Sequence, residues 1–416
     1  MGSSIKKTVL AFGIAGLVAW AGSAQAHNDR RPPPPPPGPG VPAPLPASET
    51  LRDMGSWFGL YVGTAISTDL LADPNEPTYK QISSTEFSVV TPENVMKWDA
   101  LEPTRGTYNW GPAETFVQFA RDNHQLIRGH VLAWHNQLPK WLTDGVADGS
   151  ISKAELSDLL KKHIADVMHH FKGQIWQWDV VNEAVNDPWA SPGGVIGYKG
   201  FWYENLGEGF IADAFRWARA ADPKALLFYN DYNLDGFGDR SNKDKVQFVY
   251  DMVKALRAQG VPIDGVGSQG HLSTRYGNYT ARQVAEVLNA FGRLGLVTAI
   301  TEVDVRSIVP ANPTSDDLNE IQQASASNYG ALLQGCLGSP RCISFTVWGI
   351  DDKHNWTNWV DFGAGVGAEA LAAIYDASYQ PKRAFDTLKD VFTYSGGPNV
   401  RFRDPPPPAG PPHVRP

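Results

Sequence analysis

The sequence predicts an α/β protein, a (β/α)8 TIM barrel that forms a single catalytic domain. Three observations carry this. Eight short apolar runs recur between about residue 50 and residue 395, helix-periodic segments separate them, and polar clusters close the runs. Strand and helix alternating eight times over roughly 345 residues fit a closed barrel better than an open doubly wound sheet.

The strands are expected at 60–63, 88–91, 126–132, 175–181, 225–229, 265–268, 297–301 and 343–347. Helical spacing of three and four is clear in Leu156, Leu159, Leu160, His163, Ile164, Val167, Met168 and Phe171, and again in Val284, Val287, Leu288 and Phe291. Such stripes face a sheet. No linker and no internal repeat interrupts the region, so 49–396 reads as one catalytic domain.

The ends differ in kind. Residues 1–26 read as a secretion signal: Lys6 and Lys7 start it, an apolar run extends from Val9 to Trp20, and Ala24 and Ala26 flank a cleavage site. The run is short for a bilayer span of about 20 residues. A soluble chain is therefore expected, secreted or, in a Gram-negative host, periplasmic, with no membrane partner after cleavage. Residues 27–48 and 397–416 are Pro-rich and read as extended tails. Cys336 and Cys342 are the only cysteines, and in an exported chain they suit a local disulfide across the turn between them.

Composition narrows the function. The chain has 416 residues, 42% hydrophobic and 19% charged, with a formal net charge of −8, more negative still without Lys6 and Lys7. That balance argues against nucleic acid, whose binding needs clustered cations. Fourteen Trp and fourteen Tyr supply flat apolar platforms for a core or for a binding cleft. There is no phosphate loop, no dinucleotide fingerprint and no His-Glu-x-x-His, so neither a cofactor nor a metal is expected.

Barrel enzymes keep their chemistry where the strands end. There the sequence has Glu93, Asn94 and Lys97; His130, Trp134, His135 and Gln137; Asn182 and Glu183; Asn230, Asp231, Tyr232 and Asn233; Gln269 and His271; Glu302 and Asp304; and Trp348, with Trp356 in the following loop. Glu183 and Glu302 each follow an apolar strand directly. Strands four and seven are read as lying on opposite sides of the barrel, so the two carboxyls would face each other across its mouth. Such a pair suits glycosidic cleavage, one acid protonating the departing oxygen and one meeting the charge that grows on the sugar. Asn182 is suited to a sugar hydroxyl, and His271, held by Asp304, to keeping Glu302 ionised. His163 reads as a core residue, His169 and His170 as surface, and Trp57, Trp176 and Trp217 as packing.

The motifs ENVMKW at 93–98, RGHVLAWH at 128–135, WDVVNEA at 178–184, GSQGH at 267–271, ITEVD at 300–304 and TVWG at 346–349 together resemble the endo-β-1,4-xylanases of glycoside hydrolase family ten. The resemblance covers about residues 50 to 392. It implies a retaining endo-hydrolase of β-1,4-xylan, with Glu183 as acid/base and Glu302 as nucleophile. It also implies that Glu93, Asn94, Lys97, His130, Trp134, Gln137, Gln269 and Trp348 line the sugar subsites, that Trp356 closes over the sugar, and that the Cys336–Cys342 bridge precedes the last strand. Tyr232 is assigned to the same cleft, and a monomer is expected. Another β-glycan as substrate, or a non-catalytic glycan-binding barrel, are the alternatives. Two positions depart from the family pattern. Thr357 stands where a larger residue is frequent, which predicts a more open upper rim, and Arg383 is a surface difference. Asn278 and Asn355 begin glycosylation sequons, the second beside Trp356.

Overall fold

A computed structural model describes residues 50–188, 194–236, 243–360 and 368–395, all within one compact unit. Residues 1–26, expected as a secretion signal, and the two stretches expected as Pro-rich tails, 27–48 and 397–416, lie outside the described residues. Among these residues no helix is long and apolar enough to cross a membrane.

All eight expected strands form. They are β1 (Tyr61–Ile66), β2 (Val89–Pro92), β3 (Leu126–Gly129), β4 (Gln177–Asn182), β5 (Leu226–Asp231), β6 (Gly265–Ser268), β7 (Val297–Val309) and β8 (Cys342–Val347). Each pairs in parallel with its neighbour in sequence, and β8 pairs with β1, which closes the ring. Closure leaves no barrel edge open to pair with another chain. Val, Ile, Leu and Phe dominate the strands because both faces are covered, one by helices and one by the barrel interior. Phe228, Val297, Ala299 and Ile343 pack together as a small cluster of their own, while the large core lies between strands and helices.

Several boundaries differ from expectation; β1 runs on to Ile66. β3 stops at Gly129 rather than Leu132, and the backbone resumes bonding only when Leu132 and Ala133 donate to Asp179 and Val180 of β4. β4 and β5 run on through Asn182 and Asp231, because backbone ladders continue under polar side chains as readily as under apolar ones. β7 continues to Val309, with a register shift against β8 between Ile300 and Val303. Glu302 therefore sits inside a strand at a bulge, not after its end; bulges re-aim side chains. Beyond the barrel, β7 pairs with His271–Ser273 on one side and Ala368–Ala370 on the other.

The helical stripes are buried as predicted. In the helix Lys153–His170, whose N-cap Ser152 accepts from the Glu155 N–H, Leu156, Leu160, His163, Ile164, Val167 and Met168 face inward. Val284, Val287, Leu288 and Phe291 do the same in Ala281–Arg293, which opens with a capping box of Thr280 and Gln283. Trp57, Trp176 and Trp217 pack against the core. The Cys336–Cys342 disulfide forms, joining the end of the helix Ser315–Leu337 to the start of β8 with the Cα atoms 5.3 Å apart.

Candidate active site

The C-terminal ends of the strands open into one cleft of about 1210 Å³. β4 ends on Asn182, and Glu183 follows in the left-handed region at φ 56°. Few non-glycine residues adopt that conformation, and here it turns the chain as it leaves the strand. The Glu183 N–H donates to Asn230 O at 2.9 Å, which locks the turn to β5. Its carboxylate accepts from Trp134 Nε1 at 2.8 Å and from Gln269 Nε2 at 3.0 Å. His135 Nε2 stands 4.0 Å away. Both donors within hydrogen-bond distance are neutral.

Glu302 has a different setting. It is buried, and Oε1 accepts from Arg128 Nη2 at 2.8 Å and Asn230 Nδ2 at 2.7 Å, while Oε2 meets His271 Nε2 at 3.2 Å. Burial alone would raise its pKa. The hydrogen bond from His271 and the fields of His130 and Arg128 outweigh it and hold the carboxyl well below the usual range. His271 in turn bonds Asp304 Oδ2 through Nδ1 at 2.9 Å. Burial opposes the imidazolium, but Asp304 and Glu302 push its pKa up to about 10. Asp304 is fully buried, does not reach the cleft, and also accepts from Trp356 Nε1 at 2.6 Å. It orients His271 and Trp356 together.

The two glutamates are not on opposite sides of the ring. β4 and β7 are three strands apart, and the intervening β5 and the turn after β6 supply the bridge. Asn230 Nδ2 binds both Glu302 and Asn182 Oδ1, the latter at 2.7 Å, and Gln269 Nε2 binds both Glu183 and Asn182 Oδ1, the latter at 3.2 Å. A continuous chain of amides thus spaces the carboxyls. Gly267 permits it, because a Cβ there would lie 2.3 Å from Asn230 Oδ1.

Every residue expected to touch substrate lines this one cleft: Glu93, Asn94, Lys97, His130, Trp134, Gln137, Asn182, Tyr232, Gln269, His271, Trp348 and Trp356. Lys97 Nζ donates to Asn94 Oδ1 at 3.0 Å and Gln137 Oε1 at 2.6 Å, and lies 4.9 Å from the centre of the Trp134 ring. Burial lowers the Lys97 pKa and raises that of Glu93 beside it. Polar rims around Trp134, Trp348 and Trp356 suit rings that are apolar on their faces and hydroxylated at their edges.

Four features differ from the sequence reading or escape it. Arg128 figured only as a letter in a motif, yet its guanidinium joins Asp179 to Glu302 and is almost fully buried. A charge inside the apolar strand Leu126–Gly129 was the signal, since buried charges need partners. Thr357 does not form the rim. It is buried, and both its N–H and Oγ1 donate to Asn355 Oδ1, at 3.0 and 2.7 Å; Trp359, 77% accessible, is an exposed residue of the rim there. Asn355 is itself buried and donates to Trp348 O at 3.2 Å, so in the folded chain its sequon is closed. His130, Asp179 and Glu302 bring three ligand-type atoms within 4.8 Å, but Arg128 already bonds both carboxylates there and supplies the positive charge that a cation would.

The profile described as Glycosyl hydrolase family 10 matches residues 50–391. Endo-1,4-beta-xylanase B of Thermotoga neapolitana is 36% identical over 341 residues, covering 82% of this chain and 91% of the relative. Endo-1,4-beta-xylanase 3 of Hypocrea jecorina is 37% identical over 333 residues, covering 80% and 82%. Among solved structures, xylanase 10B of Thermotoga petrophila in complex with xylobiose superposes with a TM-score of 0.74 at 35% identity, over 83% of this chain and 98% of that one.

Proposed function

The chain belongs to glycosyl hydrolase family 10, and from that premise we propose that it is a retaining endo-1,4-β-xylanase that cleaves internal bonds of xylan. The observation that carries this reading is the contrast between the two glutamates. Glu302 is held ionised by Arg128, Asn230 and His271, while among the described residues Glu183 accepts from the neutral Trp134 and Gln269. One carboxylate ready to attack and one carboxyl free to carry a proton make the pair a double displacement needs.

In the first step Glu302 bonds to the anomeric carbon as the glycosidic bond breaks, and the Glu183 proton goes to the departing oxygen. In the second, Glu183 takes a proton from water, the water oxygen bonds to the anomeric carbon, and Glu302 leaves as carboxylate. Asn182 is in position for a hydroxyl of the reacting sugar, while Glu93, Asn94, Lys97 and Gln137 hold the sugars on the non-reducing side. Trp134, Trp348 and Trp356 supply the apolar faces. One chain carries the whole cleft, which supports action as a monomer.

Residues 1–26 support export from the cell, with His27 as the first residue of the mature chain; N-terminal sequencing of the extracellular protein tests that. The activity is tested by release of reducing ends from soluble β-1,4-xylan, with cellulose and mannan alongside and Glu302→Gln as control. Release from xylan that Glu302→Gln lacks is the expected result. Preferential release from cellulose moves the substrate to another β-glycan, and no release from any polymer sinks the hydrolase reading.

A further inference from the structure

Against the cleft wall that holds Glu183 and Tyr232 lies a cation for which the reaction above has no task. Lys199 precedes the helix Gly200–Leu206, and its backbone N–H donates to Ala184 O at 2.9 Å, which ties it next to Glu183. Gly200 follows at φ 87°, and a Cβ on it would lie 2.7 Å from the His135 Cβ. Glycine thus lets this turn close against His135. Lys199 Nζ donates to the Tyr232 hydroxyl at 2.7 Å, and Tyr232 stands in the cleft wall with Glu183.

A second ammonium, Lys245, lies 3.6 Å from the centre of the Tyr232 ring. It is fully buried and paired with Asp231 at 2.9 Å and Asp187 at 3.4 Å. Lys199 is half-buried and makes no ion pair with a carboxylate among the described residues. Of the two it acts more strongly on His135, which neighbours Glu183. Burial pushes the Lys199 pKa down, while Asp231 and, more weakly, Glu183 oppose that.

We propose that Lys199 is a positioning residue for the proton cycle of Glu183: its ammonium, fixed on the wall by Tyr232, stabilises the carboxylate that Glu183 becomes once its proton has gone to the departing oxygen. The proposal rests on reading Glu183 as the acid. The covalent step leaves a negative charge on Glu183 and removes one from Glu302, and a cation beside Glu183 favours that redistribution. A cation beside a carboxyl favours its ionised form, so Lys199 is expected to help set where activity fails on the alkaline side. Other charges also face Glu183. Lys97 after β2 and His135 after β3 stand on one side, Asp231 and Tyr232 at the end of β5 on another, with Tyr229 below. Asp187 and Lys245 pair behind Tyr232, and Glu302 lies across the cleft. Changing Lys199 alone leaves these side chains in place, while its field is also lost at His135 and Asp231.

Lys199→Met is compared with Lys199→Arg in two measurements: kcat/KM against pH on a xylo-oligosaccharide, and titration of the Glu183 carboxyl carbon by 13C NMR. In Lys199→Met both the alkaline limb and the titration midpoint move up by about half a unit or more, and Lys199→Arg restores them. Tyr232→Phe, which removes the hydroxyl that holds Lys199, moves both in the same direction by less, and serves if Lys199→Met does not fold. Curves that coincide for wild type and Lys199→Met overturn the proposal. A shifted titration in a chain that hydrolyses no xylan supports the electrostatic assignment and sinks the xylanase reading instead.

Discussion

Arg128 Nη2 lies 2.8 Å from Glu302 Oε1, with both side chains buried beneath the cleft. The same guanidinium bonds Asp179, so one cation serves two carboxylates, and the two anions raise its pKa against the burial that lowers it. Removing it leaves two buried acids facing one another. Arg128→Met is expected to cost about 3–5 kcal/mol of stability, read by urea unfolding. Arg128→Lys keeps the charge without the planar fork and is expected to fall between the two.

The roles of the two glutamates separate in a pair of variants. Glu302→Gln is expected to lose at least about a thousandfold in kcat on every substrate, with an unchanged circular dichroism spectrum. Glu183→Ala should keep most of its kcat/KM and show a burst on an aryl xylobioside whose leaving group needs no proton, turn over slowly there because the second step has lost its base, and lose activity on xylan. Added azide should accelerate Glu183→Ala and give the β-xylobiosyl azide. An α-azide would contradict a covalent intermediate on Glu302.

Folding stability should depend on pH through His271. Its folded pKa of about 10 lies above the ordinary 6.5. The stabilisation from its bonds to Glu302 and Asp304 is therefore complete below about pH 6.5 and lost as pH rises through about 10. Glu302 works in the opposite sense, since its lowered pKa contributes stability that disappears as pH falls below the ordinary range. Urea unfolding from pH 6 to pH 10.5 should decline more steeply in the wild type than in His271→Asn, and parallel curves would remove His271 as the cause.

His163 is a buried imidazole stacked on Trp98, with ring centres 3.8 Å apart and planes within 9°. Burial brings its pKa down to about 3, so the ring is neutral, and among the described residues neither nitrogen has a hydrogen-bond partner. His163→Phe should keep the stack and relieve the unmet polar atoms, raising stability by about 1 kcal/mol. A lower melting temperature in the variant would count against this.

The Cys336–Cys342 bridge closes a loop with a sequence separation of 6. So short a loop constrains the unfolded chain weakly, and the double Cys→Ala variant should lose only about 2 kcal/mol. Thermal unfolding with and without reductant checks it in the unaltered protein.

Much of this molecule could be read before any coordinates. The apolar runs and three-to-four stripes depend on local period, and period reports which face of a strand or helix is buried. All eight strands follow from it, as does the inward face of the helix Lys153–His170. The polar residues after each run indicated Glu183, Glu302 and their companions because a parallel barrel gathers strand ends in one place. What the chain order could not convey is which distant groups share a proton or a charge. Arg128 looked like a letter in a motif, Thr357 like a rim residue, and strands four and seven like opposite walls. Their actual roles arise from side-chain contacts across β3, β4, β5 and β7, joining positions as far apart as Arg128 and Glu302. Spacing along a chain encodes periodic burial, whereas hydrogen bonds and electrostatic fields depend on distances that exist only once the barrel has closed.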